Sequence, residues 1–378
     1  MSKHRINALE YIRGLSMLGV VGIHTGAYSL SNPKVNVHLF ALLEILTRFS
    51  VPIFFFVSAF GLFVNQDLTG KLSYMNFMMR RSRTVLLPYI VWSLFYMLHY
   101  TFMNRDFSIW TPPLVYEFFL FGLASCQLYF LVILLWFYTL MPLWRSTVRH
   151  IINHPLRNLG ILLLLQIIFD YYSSYLLKAN FSNYYLNKAI SYRLNYWVVH
   201  YIFIFLMGAV CAVKYSAFEE GINRYQRQIK NFFYLTTAGM LSFYYYLLYV
   251  SHYSPEQAVN TAHQLSPIGV LYTVGATLFL FMFFNKNKMP TTMKTVLSLL
   301  GKHSYLVYLV HPFVMYYLDM YLSRHNLMMT AVVVIIFYLS TIGISLLFAL
   351  LVQQISKLFP IVSVLLTGSN PPKQKSGV

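Results

Sequence analysis

Long apolar runs separated by short polar connections dominate the chain. None alternates with period two, so the pattern predicts helices and not strands. A helix that crosses the hydrocarbon core needs about 20 mostly apolar residues, and a closed barrel is the only other solution. Ten runs qualify: 8–30, 39–64, 84–103, 126–144, 158–178, 196–215, 232–251, 268–285, 295–322 and 329–352. The segment 114–125 is apolar but short, and it fits either a re-entrant piece or an extension of the fourth span. The connections 65–83, 179–195 and 252–267 are too short to fold alone. The expectation is an all-α membrane protein with one ten-helix domain over residues 1–352. The remainder, 353–378, has an apolar patch from Leu358 to Leu366 and a Pro/Lys/Ser/Gly end. It is expected to lie on the cytoplasmic surface and then fray.

Composition agrees with the pattern. Charged residues make up 10% of the 378, against about 25% in soluble globular chains, and mean hydropathy is +0.58. That leaves too little charge for a soluble surface and excludes disordered and collagen-like classes. The formal charge is +18. With a cytoplasmic N-terminus, 21 of the 28 Lys and Arg residues fall on the cytoplasmic side, which predicts both termini inside. Charge spread in this way is topogenic, and nucleic acid is not an expected partner. The first run is not read as a cleavable signal, because Arg13 interrupts it and His24 follows. Cys126 and Cys211 have no metal or disulfide spacing and are read as packing residues. P-loop, GxSxG and HExxH motifs are absent from the sequence. No metal and no permanently bound cofactor is expected.

Ionisable residues inside spans are costly and are functional candidates by default. The first span holds Arg13 and His24, eleven residues apart. At 100° per residue both lie on one face, about 16 Å apart along the axis. Such a face suits an anionic group at one end and proton chemistry at the other. The bland alternative is Arg13 reaching lipid phosphates and His24 bonding a neighbouring helix. Before the third span stands Arg80-Arg81-Ser82-Arg83, leading through LLP to Tyr89. Arg80 and Arg83 have i, i+3 spacing suited to gripping phosphates, although an ordinary positive-inside cluster has the same composition. The ninth span carries Ser304, Tyr308 and His311 at i, i+4 and i+7, on one face and just before Pro312. A polar stripe there faces protein or a water-filled cavity. His99 and His200 fall near span ends. His150 and His154 sit in a solvated loop, with little claim to metal. Glu44, Glu117, Asp170 and Asp319 have no partners assignable from sequence.

These residues resemble the acyltransferase-3 family of integral membrane acyltransferases. Glu10-Tyr11-Ile12-Arg13-Gly14 followed by His24 is similar to its first-span signature. Val51 to Phe60 resembles its VPLFFxxSGF string, with Ala59 in place of the usual Gly. Arg80 to Tyr89 resembles its RxxR segment leading into LLP. Gln127 to Leu131 is similar to its HLWFL segment, with Gln127 and Tyr129 in place of His and Trp, so residue 127 has no assigned proton-transfer role. Gly301 to Pro312 resembles its SYxxYLxHP string. The five motifs occur in order over residues 6–320.

The resemblance implies transfer of an acyl group, most often acetyl from acetyl-CoA, to a hydroxyl of a surface or lipid-linked polysaccharide at the plasma membrane. An alcohol needs a base at neutral pH, and His24 is the candidate. Arg80 and Arg83 are candidates for the CoA phosphates. Arg13 would hold the donor or stabilise developing charge. Ser304, Tyr308 and His311 would orient substrate. Acetyl or succinyl donor, direct or covalent transfer, and the identity of the glycan all stay open. An exporter of a glycan or lipid-linked intermediate is the alternative, and a signalling or scaffold protein is a third reading.

Overall fold

The computed structural model describes residues 6–30, 35–286 and 288–370, and every regular element among them is helical. Lys3, Arg5, Lys34, Lys373 and Lys375, which entered the charge count, lie outside the described residues, as does most of the expected frayed end. We number the principal helices α1 (Asn7–Ser29), α2 (Val37–Phe63), α3 (Tyr74–Asn104), α4 (Leu114–Phe121), α5 (Tyr129–Thr139), α6 (Met141–Ile151) and α7 (Pro155–Leu176). They continue with α8 (Val198–Val213), α9 (Tyr215–Arg224), α10 (Gln226–Tyr249), α11 (Pro267–Asn285), α12 (Thr291–Arg324), α13 (Ala331–Leu358) and α14 (Pro360–Thr367).

Five helices, α2, α3, α7, α11 and α13, are long and apolar enough to cross a membrane. Two bent pairs, α5–α6 and α8–α9, bring the number to seven if each is one span. The other three expected spans fall on α1, α10 and α12, which are 23, 24 and 34 residues long but more polar. Even the shortest reaches about 34 Å, enough for a hydrocarbon core of about 30 Å.

Two expected spans differ in shape from straight rods. The fourth breaks after Thr139 with a 70° bend, and the sixth breaks at Lys214 with a 100° bend. Pro142 explains the first break. It has no N–H to continue α5, and it stands in the first turn of α6, where none is needed. Trp144 then donates its indole N–H to the Phe137 carbonyl that α5 leaves free, at 3.0 Å. Arg145 ties α6 to the 65–73 loop through the Asp67 and Gly70 carbonyls, at 2.7 and 2.8 Å.

The short apolar segment forms α4, a separate helix that ends at Gly122 (φ 70°). Its buried Glu117 pairs with Lys188 at 3.4 Å and accepts from the Tyr184 hydroxyl at 2.5 Å. At the other end of the chain, α13 runs on to Leu358, and α14 folds back against α3. The Trp92 indole N–H donates to the Leu366 carbonyl at 3.1 Å.

The centre of the bundle is the contact between α1 and α12. A Cβ on Gly14 would sit 2.3 Å from the Leu297 carbonyl oxygen, and one on Gly301 would sit 2.1 Å from that of Glu10. Only glycine lets the two backbones approach so closely, as small residues do where membrane helices cross. This crossing sets side by side the two helices that carry Arg13 and His24 on one and Ser304, Tyr308 and His311 on the other.

Candidate functional site

A cavity of about 500 Å³ opens beside this crossing. Three helices supply its cations: Arg13 from α1, Arg81 from α3 and Lys302 from α12. The Arg81 guanidinium lies over the rings of Phe77 and Tyr138, at 5.3 and 5.0 Å, so its position is held by aromatic faces. Tyr138 in turn lies 3.5 Å from the Ser58 hydroxyl, and both line the cavity. Just after Arg81 the helix widens into a π turn over Ser82–Leu86. Pro88 follows, and without an N–H it cannot serve the Thr84 carbonyl.

Ser304, Tyr305 and Tyr308 line the same cavity, together with Phe54 and Phe130 of the two apolar strings noted in the sequence. Ser304 donates to its own helix at the Gly301 carbonyl, 2.9 Å away. The Tyr308 hydroxyl donates to the Gln127 backbone carbonyl. The Gln127 side chain, fully buried, donates to the Leu309 carbonyl at 3.2 Å. Gln127 is therefore a structural clamp between α12 and the start of α5.

His311 lies outside the cavity, one turn past Tyr308, with their ring centroids 5.9 Å apart. Its ring faces that of His24 at 5.2 Å. The His311 Nδ1 lies 3.2 Å from the Val307 carbonyl, which can only accept, so the proton is on Nδ1. Nε2 is left as a lone pair, fully buried and without a partner. His24 Nδ1 lies 3.6 Å from the Cys126 thiol. The predicted stripe is thus divided: Ser304 and Tyr308 face the cavity, and His311 joins His24 beyond it.

Arg80 and Arg83 line a second, smaller cavity of about 350 Å³ with Gly368 and Asn370. Arg81, Thr84 and Ser369 belong to both cavities, so the two adjoin. Arg83 donates to the Asn370 side chain. The C-terminal segment therefore walls the basic cavities.

Sequence reasoning did not single out Arg81, Lys302, Tyr138, Ser58 or Tyr305. Arg81 and Lys302 stood next to residues that were singled out. Ser58 and Tyr305 are the Ser of the VPLFFxxSGF string and the first Tyr of the SYxxYLxHP string, so a signal was there for both, whereas Tyr138 carried none in its plainly apolar string. Cys126 differs from its reading as a packing residue. It is exposed, although Ala124, Ser125, Gln127 and Leu128 around it are buried. Cys211 is buried, as packing requires.

A Ser–His–Asp chain stands elsewhere. His200 Nδ1 is 2.7 Å from Asp170 and its Nε2 is 3.3 Å from the Ser173 hydroxyl. The order matches a hydrolytic triad, but the surroundings do not. All three residues are buried, and the space beside Asp170 and His200 holds about 20 Å³, room for little more than one water. Arg193 also donates to the Ser173 hydroxyl and carbonyl, at 3.2 and 2.9 Å. This chain locks α7 to α8 and lacks room for a substrate.

The fold and site define a multi-helix membrane protein with a basic cavity leading towards a pair of histidines. The chain matches the family model described as an acyltransferase domain, over residues 6–350. It belongs to the acyltransferase-3 family of membrane acyltransferases. Neither the curated proteins nor the solved structures contain a match to it.

Proposed function

We propose that the chain is a multi-pass plasma-membrane O-acyltransferase with ten crossing helices and both termini in the cytoplasm. It moves an acyl group, expected to be acetyl, from acyl-CoA to a hydroxyl of a surface or lipid-linked polysaccharide. The observation that carries this reading is the basic cavity, in which Arg13, Arg81 and Lys302 converge from three helices and whose inner end stops one turn short of His311. Phosphates call for clustered cations, and Arg80 and Arg83 in the adjoining cavity extend that surface. Ser304 and Tyr308 line the path of the acyl arm. His24 acts as the general base on the acceptor hydroxyl. Arg13, on the same helix face but at the cavity, holds the donor and offsets developing negative charge.

The test is ester analysis of the surface polymers from cells that carry His24→Ala in place of the wild-type chain. Loss of the esters with unchanged protein abundance is expected, and unchanged acylation refutes the role of His24. Acetyl-CoA is also expected to raise the melting temperature of the purified protein. Arg81→Ala and Lys302→Ala each weaken that effect about tenfold, the scale of one charge-assisted phosphate contact. A wild-type chain that acetyl-CoA does not stabilise favours the glycan exporter instead.

A further inference from the structure

Beyond the donor cavity sits a nucleophile that the proposed reaction does not use. Cys126 is exposed, although Ala124, Ser125, Gln127 and Leu128 on either side of it are buried. His24 is half-buried, with Nδ1 3.6 Å from the sulfur. The thiol is the only donor that pair needs if His24 is neutral with its lone pair on Nδ1. Behind His24, the unpartnered and fully buried Nε2 of His311 belongs to a ring 5.2 Å away. With no hydrogen bond within the protein, this nitrogen is free to accept one from a polar group bound beside the thiol–imidazole pair. The other cysteine, Cys211, has no such neighbour among its hydrogen bonds and is buried.

We infer that Cys126 is the nucleophile of a two-step relay, in which the acyl group rests on its sulfur between donor and acceptor. The relay rests on the acyltransferase reading and deepens it. In the first step His24 takes the thiol proton, and the Cys126 sulfur attacks the thioester carbonyl of acyl-CoA. The new thioester C–S bond forms, the bond to the CoA sulfur breaks, and the proton passes from His24 to the leaving CoA thiolate. In the second step His24 takes the proton of the acceptor hydroxyl, whose oxygen attacks the acyl-Cys126 carbonyl. The C–O bond forms, the C–S bond breaks, and the proton returns to the Cys126 thiolate. No oxidant, reductant or further reactant is needed.

A thiol suits this place better than the serine of the buried Ser173–His200 pair. It is more nucleophilic at neutral pH, and it is open to a substrate. The arrangement also accounts for a division in the site. Tyr308 lines the cation-bearing cavity and bonds the carbonyl of Gln127, the residue next to the thiol, whereas neither Cys126 nor His24 lines that cavity. A relay lets the donor arm reach the thiol from that cavity, leave its acyl group there and depart before the acceptor binds.

The experiment uses the purified full-length chain and [14C]acetyl-CoA without acceptor. The wild type is expected to retain label that survives denaturation and is released by neutral hydroxylamine, with one labelled peptide containing Cys126. Cys126→Ala loses the label and at least 100-fold of the transfer rate to glycan, yet keeps the thermal shift with CoA, which reports that it is folded. Cys126→Ser retains label more slowly and in a form less sensitive to hydroxylamine. Cys211→Ala behaves as wild type. Transfer to glycan by Cys126→Ala at the wild-type rate overturns the relay and leaves the acyltransferase reading intact. So does a wild type that acetylates glycan but never carries label. A wild type that neither takes label nor acetylates glycan from acetyl-CoA overturns both.

Discussion

The crossing of α1 and α12 gives the most direct handle on the site, through Gly301→Ala. The added Cβ would stand 2.1 Å from the Glu10 carbonyl oxygen, where real contacts are at least 3.0 Å. The obstacle is backbone and cannot rotate aside. The two helices must therefore open by about 0.9 Å at that point. Gly301 is one turn from Ser304, and Glu10 is one turn from Arg13, so the displacement falls directly on the cavity and continues along both helices to His24 and His311. Over-packing of this kind costs about 1–3 kcal/mol, which a domain of this size survives. A misplacement of about 1 Å between reacting groups costs on the order of 100-fold in rate. The expected result is an inserted, folded protein with turnover down about 100-fold. Gly160→Ala in α7 is the control, because its Cβ would have nothing within 4 Å. The assay is acyl transfer by the purified protein, with melting temperature as the fold check. A Gly301→Ala protein within threefold of the wild-type rate refutes the idea that this close approach sets the site.

Two further outcomes follow from other parts of the molecule. Ending the chain after Leu358 removes α14 and with it Thr367 and Ser369, which line the basic cavity, and it leaves Arg83 without Asn370. CoA affinity measured by thermal shift is expected to fall about tenfold, as for loss of one or two hydrogen bonds to a charged group, and unchanged affinity contradicts the role given to the segment. The third concerns His263, in the loop before α11. Burial, with the Arg48 charge adding to it, holds its imidazole down at about 3. Its Nδ1 accepts the Leu265 N–H at 3.0 Å, which a protonated ring cannot do. The folded value is below the unfolded one of about 6.5, so the stabilisation is complete above pH 6.5 and is lost as pH falls from there towards 3. The melting temperature of His263→Asn is expected to fall less steeply between pH 7.5 and 5 than that of the wild type, and equal slopes refute the assignment.

Periodicity alone placed Arg13 with His24, and Ser304 with Tyr308 and His311, because the faces of a helix follow from residue spacing. It could not say that Tyr308 ends the cavity while His311 lies beyond it. That depends on where the Gln127 carbonyl crosses α12. Spacing also drew attention to Arg80 and Arg83, whereas Arg81 is the member of the cluster that reaches the main cavity. The phase of α3 against its neighbours decides this, and the pull of the Phe77 and Tyr138 faces helps to set it. Pro142 marked the break in the fourth span, but a continuous apolar run concealed it. Cys126 had no local signal at all. Its meaning comes from α1, about a hundred residues earlier in the chain.

The lengths along the two central helices bear on the kind of donor. Lys302 and His311 are nine residues apart on α12, about 13–14 Å of rise, and Arg13 and His24 are about 16 Å apart on α1. The glycine pair fixes the two helices against each other, so cations and imidazoles are separated by a similar distance on both. A small phosphorylated donor, with its acyl group directly on the anion, would bring its carbonyl no further than the cations that hold it. A donor whose phosphates and thioester are joined by a long flexible arm can satisfy the cations at one end and present its carbonyl at the other. Ser304, Tyr305 and Tyr308 line the cavity on the way from the cations towards the imidazoles, and their hydroxyls suit an amide-bearing arm. The separation of charge from base therefore favours acyl-CoA over acyl phosphate. Three members of the basic excess, contributed by α1, α3 and α12, meet in one cavity at the cation end of that separation.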